Sequence, residues 1–199
     1  MSRLTLLRPS DYQRVRWKND GGWTTEIARE PADANTAFDW RISIADIESD
    51  GPFSNFPGVD RDLILLAGNG IELDIDDAPP LRLVERFARV HFAGESNIGC
   101  RLLAGATRDF NVMVRRDAVR AEVVARPLLG SMVIFPESGA EWLVHVLAGE
   151  AHARTSHENI ALETGSSLRI RFDGAEPTRV VLEGGGELVL VKFVMIASR

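Results

Sequence analysis

At 199 residues, with 45% hydrophobic and 26% charged side chains, the chain is long enough for one large β domain or two small ones and too apolar to stay disordered. Its net charge of -6 comes from interleaved acids and bases with no basic stripe, which argues against nucleic acid as a partner, since phosphate contacts demand a positive footprint. A single cysteine, Cys100, excludes an intrachain disulfide framework and suits a reducing compartment.

The N-terminal apolar stretch is interrupted by Arg8 and Pro9 before it reaches signal-peptide length. No apolar run approaches the roughly 18 residues needed to span a bilayer. A cytoplasmic protein without a membrane partner is the expectation. One helical turn, capped by Ser10, is expected at 8–12. The richest stretch follows: Arg16-Trp17-Lys18-Asn19-Asp20-Gly21-Gly22-Trp23-Thr24-Thr25-Glu26-Ile27. Its paired glycines allow a sharp turn or a close backbone approach. Strand alternation beyond them places Thr24 and Glu26 on one face and Trp23, Thr25 and Ile27 on the other.

Most of the remaining chain reads as strand. Runs rich in Val, Ile, Leu and Phe at 40–45, 63–66, 71–75, 110–114, 131–135, 142–147, 167–172 and 188–194 are separated by Gly, Pro, Asp and Asn. In the first of these, Arg41, Ser43 and Ala45 share a face. Between 50 and 61 the chain is an irregular loop whose Phe53 and Phe56 cover either the core or a pocket mouth. Asp60 is expected to pair locally, whereas Arg61 is open to a local pair or a pocket role. Around 110–114 the shared face is Asp109, Asn111 and Met113.

Such one-faced polarity also describes the solvated side of an ordinary antiparallel sheet. Glu26, Arg41 and Asp109, however, each stand alone among apolar neighbours. Inside a barrel each would need a partner or a ligand, because an unpaired buried charge is very costly. An Arg facing carboxylates, with Asn and Ser beside it, can hold a small carboxylic acid by a forked contact.

A weak internal repeat bears on the fold. Residues 63–72 and 143–152 each read as an apolar strand, Ala-Gly, a tight turn and a second strand. A Phe-Pro pair precedes each, at Phe56-Pro57 and Phe135-Pro136, and a turn glycine follows, Gly94 and Gly165. Two cupin-like barrels are expected, with a seam near 103–109. Other signals are weaker. The four histidines, His91, His145, His152 and His157, lack the His-x-His pair and following Glu of a metal cupin, so no metal is expected. His145 reads as a core or pocket residue, and His152 and His157 as exposed. No Gly-x-Ser-x-Gly elbow exists. Cys100 reads as structural burial, and Gly184-Gly185-Gly186 as a hairpin turn rather than a phosphate loop.

Four motifs in order carry a resemblance to a known family. Trp17-Lys18-Asn19 with its glycines and Thr24-x-Glu26-Ile27 come first, then Trp40-Arg41-x-Ser43-x-Ala45. Asp50-Gly51-Pro52-Phe53-Ser54-x-Phe56-Pro57-Gly58-x-Asp60-Arg61 follows, and Arg108-Asp109-Phe110-Asn111-x-Met113 closes the series. Across roughly 16–116 the chain resembles the HutD family. The resemblance implies an all-β bicupin, with barrels at 1–106 and 107–199, usually dimeric, and a pocket in the first barrel. It also implies a link to bacterial histidine utilisation, a stress-induced Ves-like branch with the same motifs, and neither metal nor cofactor. Two positions depart from the family pattern: Asp20 replaces the first of three glycines, and Thr25 stands where Arg is common.

The expected pocket comprises Lys18, Asn19, Thr24, Glu26, Arg41, Ser43, Ser54, Phe56, Arg61, Asp109 and Asn111. Arg41 would anchor the carboxylate of a small polar ligand, with Glu26 and Asp109 orienting it or accepting from ligand N–H groups. The resemblance points to an accessory or regulatory protein that senses a histidine-pathway acid, urocanate or a formylated glutamate. A metal-independent enzyme with Glu26 or Asp109 as general acid/base is the alternative. A protein-interaction scaffold would instead show a flat apolar patch and no enclosed pocket.

Overall fold

β-Branched and aromatic side chains in short alternating runs favour pleated, half-buried strands, and strands are what these runs form. The computed structural model describes residues 2–33, 36–172 and 178–196, with no α-helix among them. The turn expected at 8–12 is a 3-10 turn, Pro9–Asp11. Asp11, rather than Ser10, caps it by accepting from the Arg8 N–H at 2.8 Å.

In chain order the strands begin with β1 (Arg3–Leu7), β2 (Gln13–Arg16), β3 (Gly22–Glu30), β4 (Trp40–Ile47), β5 (Gly51–Pro52) and β6 (Val59–Ala67). Next come β7 (Ile71–Ile75), β8 (Leu81–Leu83), β9 (Arg89–Ala93), β10 (Ile98–Leu102) and β11 (Thr107–Arg115). The last five are β12 (Val119–Ile134), β13 (Ala140–Arg154), β14 (Asn159–Glu163), β15 (Ser167–Arg171) and β16 (Val180–Met195). Every run expected as a strand lies in one, apart from the terminal Phe135 and Phe172.

The chain divides into two compact units, Tyr12–Val119 and Met1–Asp11 with Arg120–Arg199. The boundary therefore does not fall at 106/107. β11 starts at Thr107 and pairs with both β4 and β6, so a cut before it would strip a central strand from its own sheet. Residues 3–7 move the other way, because β1 pairs along its length with β15.

In the Tyr12–Val119 unit a six-stranded sheet, β2-β3-β4-β11-β6-β9, packs on a four-stranded sheet, β5-β10-β7-β8. Ala45, Ile47, Leu63, Leu65 and Phe92 from the first meet Ile71, Leu73, Ile98 and Cys100 from the second. Leu65, Ile71 and Leu73 are wholly shielded from water, and each such side chain stabilises the fold by about 1.5–3 kcal/mol. Ala45, Ile47 and Leu63 of this core also line a cavity, together with polar side chains.

The other unit is a single six-stranded sheet, β1-β15-β13-β16-β12 with β14 on β13. Its core gathers Val144, Val146, Leu168, Ile170, Leu182 and Leu188. Two expectations fail here for the same reason. Gly184-Gly185-Gly186 is not a hairpin turn but the middle of β16, opposite Glu150, Ala151 and Gly149 of β13. At Gly184 and Gly186, with φ of 151° and 148°, a Cβ would run into the β13 backbone at Glu150 and Ala148. Nor does the second repeat turn at its Ala-Gly step. Gly68 and Gly70 do turn the chain after β6, whereas Ala148-Gly149 adjoins a bulge after Val146 inside β13, and that strand continues. Glycine marks close strand approach as readily as a turn.

Candidate functional site

Register in the six-stranded sheet builds the site. β11 pairs with β4 on one side and β6 on the other, which aligns Arg41, Met113 and Arg61 in one row, with Phe92 of β9 beyond. Glu26, Ser43, Asn111 and Leu63 form the second row, and Thr24, Ala45, Asp109 and Leu65 the third. Directly paired residues share a face, so the polarity seen on three separate strands converges on one surface between the sheets.

That surface walls a cavity of about 450 Å³. Nine of the eleven expected residues line it: Lys18, Asn19, Thr24, Arg41, Ser43, Ser54, Phe56, Arg61 and Asn111. Glu26 and Asp109 do not. Glu26 is engaged by Arg41, and Asp109 lies one row beyond Asn111 with no exposure to solvent. The cavity also takes Arg16, Trp17, Ala45, Ile47, Pro52, Phe53, Leu63 and Met113. Alternation already put Ala45 and Met113 beside named residues, and Phe53 sits in the loop expected to cover a pocket mouth. Leu63 and Ile47 carried no signal, because an apolar wall residue looks like any core residue.

The roles of the two arginines differ from expectation. Arg41 donates from Nε to Glu26 Oε2 at 2.5 Å, so its charge is already balanced. Arg61 does not pair locally and turns inward, only 6% exposed. Its guanidinium packs over the rings of Phe53, Phe56 and Phe92 at 4.9–5.7 Å, a cation–π cage. Its one hydrogen bond is a long contact of 3.4 Å from Nη1 to the Ser54 carbonyl, and Nε has none. No carboxylate among the described residues pairs with it, and burial together with the nearby Arg41 charge pushes its pKa down to about 10. The expected local pair of Asp60 is instead a longer-range one, with Arg116 Nε at 2.7 Å.

Asp109 presents the opposite case. Neither carboxylate oxygen has a hydrogen-bond partner, and burial raises its pKa to about 7. Cys100 is buried as expected, and burial, with Asp109 and Asp50 adding to it, pushes its thiol up to about 12, which makes it inert.

The mouth is shaped by the turn before β3. Trp17 donates from Nε1 to Thr24 Oγ1 at 2.8 Å, and Asn19 Oδ1 accepts from the Gly21 N–H at 3.1 Å. Asp20 adopts φ 56°, the left-handed conformation in which glycine is favoured, and its N–H bonds the Trp17 carbonyl at 3.1 Å. The loop thus keeps a glycine-like backbone with Asp in place. The Asp20 carboxylate is 85% exposed and meets Arg16, so it adds no charge to the cavity. At Gly22 a Cβ would strike the Asp46 carbonyl of the neighbouring strand. Gly22→Ala should lower unfolding stability by about 1–3 kcal/mol in urea titration; an unchanged midpoint would refute the close-approach argument.

Among the described residues no group of three or more His, Cys, Asp or Glu stands together as a metal site. His145 is buried in the other unit, with Nδ1 2.8 Å from Ser167 Oγ, and burial holds its pKa down at about 4. His152 and His157 are exposed.

Comparison with known proteins agrees with this architecture. A 21.2 kDa protein of the hutC 3' region of Pseudomonas putida is 46% identical over 125 residues, covering 62% of this chain and 64% of that protein. Protein Ves of Citrobacter koseri is 41% identical over 108 residues, covering 54% of this chain and 56% of its own length. Each match thus spans less than two thirds of the relative. HutD of Pseudomonas fluorescens SBW25 superposes with a TM-score of 0.80 at 28% identity over 98% of this chain and 100% of that one. A cupin 2 barrel protein of Leptotrichia buccalis, at 10% identity, TM-score 0.57 and coverage of 92% and 96%, shares the fold alone. The HutD family model matches residues 9–190, which span the turn, the three polar rows and the cavity they wall. This chain belongs to the HutD family.

Proposed function

We propose that this HutD-family chain is a small-molecule-binding bicupin that holds a small carboxylate in the cavity of the Tyr12–Val119 unit. The carrying observation is Arg61: a buried cation with no carboxylate partner among the described residues, facing a cavity whose lining includes Arg16, Lys18 and Arg41 and no acid. A buried charge without a counterion is costly, and an entering anion relieves that cost. Arg61 thus replaces Arg41 as the anchor, and the Phe cage holds its guanidinium in place. Arg41, steadied by Glu26, serves as a second donor beside it.

The hutC-region relative supports a role as an accessory or regulatory protein of histidine utilisation, with the bound acid as its signal. A homodimer is the working assembly. The enzyme alternative is weaker. Glu26 is tied to Arg41, and Asp109 does not line the cavity, so neither is free to move a substrate proton.

Thermal-shift titration with a panel of small carboxylates, on wild type and Arg61→Met, tests the reading. Stabilisation of the wild type by an acid that leaves Arg61→Met unaffected is expected, without turnover. Equal stabilisation of both proteins removes Arg61 from the site, and turnover of the acid makes the protein an enzyme.

A further inference from the structure

The two rims of the cavity mouth are held in different ways. On one side the Phe56 N–H bonds the Gly94 carbonyl at 2.7 Å, and the Gly94 N–H bonds the Val59 carbonyl at 2.6 Å. Arg116 grips Glu95 there with both terminal nitrogens, at 2.9 and 3.0 Å. Backbone bonds and a forked ion pair fix that rim. The other rim is the turn Trp17–Gly21, which brings Trp17, Lys18 and Asn19 into the cavity lining. The Trp17 N–H closes its base on the Gly22 carbonyl at 3.0 Å. Its tip is tied to the segment that leads from β4 in one sheet to β5 in the other, because the Gly21 carbonyl accepts from the Glu48 and Ser49 N–H groups at 2.8 and 3.2 Å.

One side chain fastens this strap. Arg16 stands at its foot and in the cavity wall, and it donates from Nη1 to Glu48 at 2.5 Å and from Nη2 to the Asp20 carbonyl at 2.6 Å. A longer contact of 3.4 Å runs from Nε to the Asp20 carboxylate. Both carboxylates are exposed, so water and salt compete for these contacts and each pair is weak. The closed strap also holds Asp20 at φ 56°, which costs a side chain more than glycine. Weak exposed ties thus work against local strain, which brings the closed and open positions near balance. We infer that the Trp17–Gly21 strap is a gate: it swings away from Glu48 and Ser49 when Arg16 lets go of Glu48, and this opens the cavity. The gate adds regulation to the cavity of the proposed function, and rests on that reading only for what passes through it.

The Glu48 and Ser49 amides lose their acceptor when the strap opens, so their hydrogen exchange reads the gate directly. In the wild-type chain their protection should fall about two- to fivefold between about 20 mM and about 500 mM NaCl. Glu48→Gln should show the lower protection already at low salt and lose the salt dependence. The Leu65 N–H, bonded to the Ala88 carbonyl at 3.0 Å, should keep its protection throughout, which separates the gate from a loosening of the whole unit. Access to the cavity is read at Trp17 by acrylamide, an uncharged quencher indifferent to the anion site. A Trp23→Phe background removes the other ring that Arg16 touches, at 5.0 Å. Quenching should rise with the same salt step and lose that dependence when Glu48→Gln is added. Salt-independent protection of Glu48 and Ser49 in the wild type, or a matching change at Leu65, overturns the gate. Exchange that quickens while quenching stays constant overturns it as well, because the strap then frays without opening the cavity. None of these results touches the anion site, which the carboxylate titrations test separately.

Discussion

Arg61→Met should unfold at higher denaturant than the wild type while losing its response to carboxylates. Burial and the neighbouring Arg41 charge hold Arg61 at about 10. At 1.36 kcal/mol per pH unit that corresponds to a penalty of about 3 kcal/mol for keeping the guanidinium charged in the empty cavity. Its folded pKa lies below its unfolded one, so the penalty is present at every pH below about 10 and is relieved only as pH rises through that value. Cation–π contact with three phenylalanines offsets part of it, and the methionine restores apolar volume against the same rings. A net gain of about 1–3 kcal/mol is expected by urea unfolding at neutral pH. The opposed signs carry the meaning: a residue that weakens the empty fold is kept for what it binds. A loss of stability in Arg61→Met would show instead that Arg61 is a structural member of the sheet.

Asp109→Asn should stabilise the protein at pH 8 and do nothing at acid pH. Burial raises the Asp109 carboxyl to about 7, whereas in the unfolded chain it titrates near the ordinary value of about 3.9. Between these values the unfolded state is ionised and the folded state protonated, so stability falls as pH rises through the window. The penalty is complete above pH 7, at about 4 kcal/mol. Asparagine keeps the shape, removes the charge and brings an amide with polar atoms of its own to satisfy. The expected gain is therefore about 2–4 kcal/mol at pH 8, shrinking to nothing near pH 4. Guanidinium unfolding of both proteins at the two pH values measures it. A gap of the same size at both would mean that the Asp109 carboxyl titrates alike in the folded and unfolded chain, so that burial does not raise it.

Both predictions concern residues that the sequence marked and the structure reassigned. Alternation alone put Glu26, Arg41 and Asp109 on polar faces among apolar neighbours, and nine of the eleven expected residues do line one cavity. Their division of labour was not visible. Arg41 and Glu26 are fifteen positions apart, and a 2.5 Å pair between them requires the β3–β4 register. Arg61 stands beside Asp60 in the sequence, open to a local pair or to the expected pocket. Only the pairing of β6 with β11 and β9 turns it inward, onto the rings of Phe53, Phe56 and Phe92. Asp20, which replaces a glycine of the family pattern, holds the glycine-like conformation with its charge in water.

Local pattern was sufficient for what depends on local physics. The all-β character, the strand positions and the division of each strand into two faces follow from a two-residue period and turn chemistry, which neighbours in sequence decide. The family and the glycine-rich turn at the cavity mouth were equally legible, because they rest on contiguous motifs. The unit boundary, the fate of the glycine runs in β13 and β16, and the identity of the uncompensated cation depend on which strands lie side by side. That is a long-range choice. The same Gly184-Gly185-Gly186 could serve a turn or a close crossing, and the same Arg61 a surface pair or a buried anchor, until strand pairing decides between them.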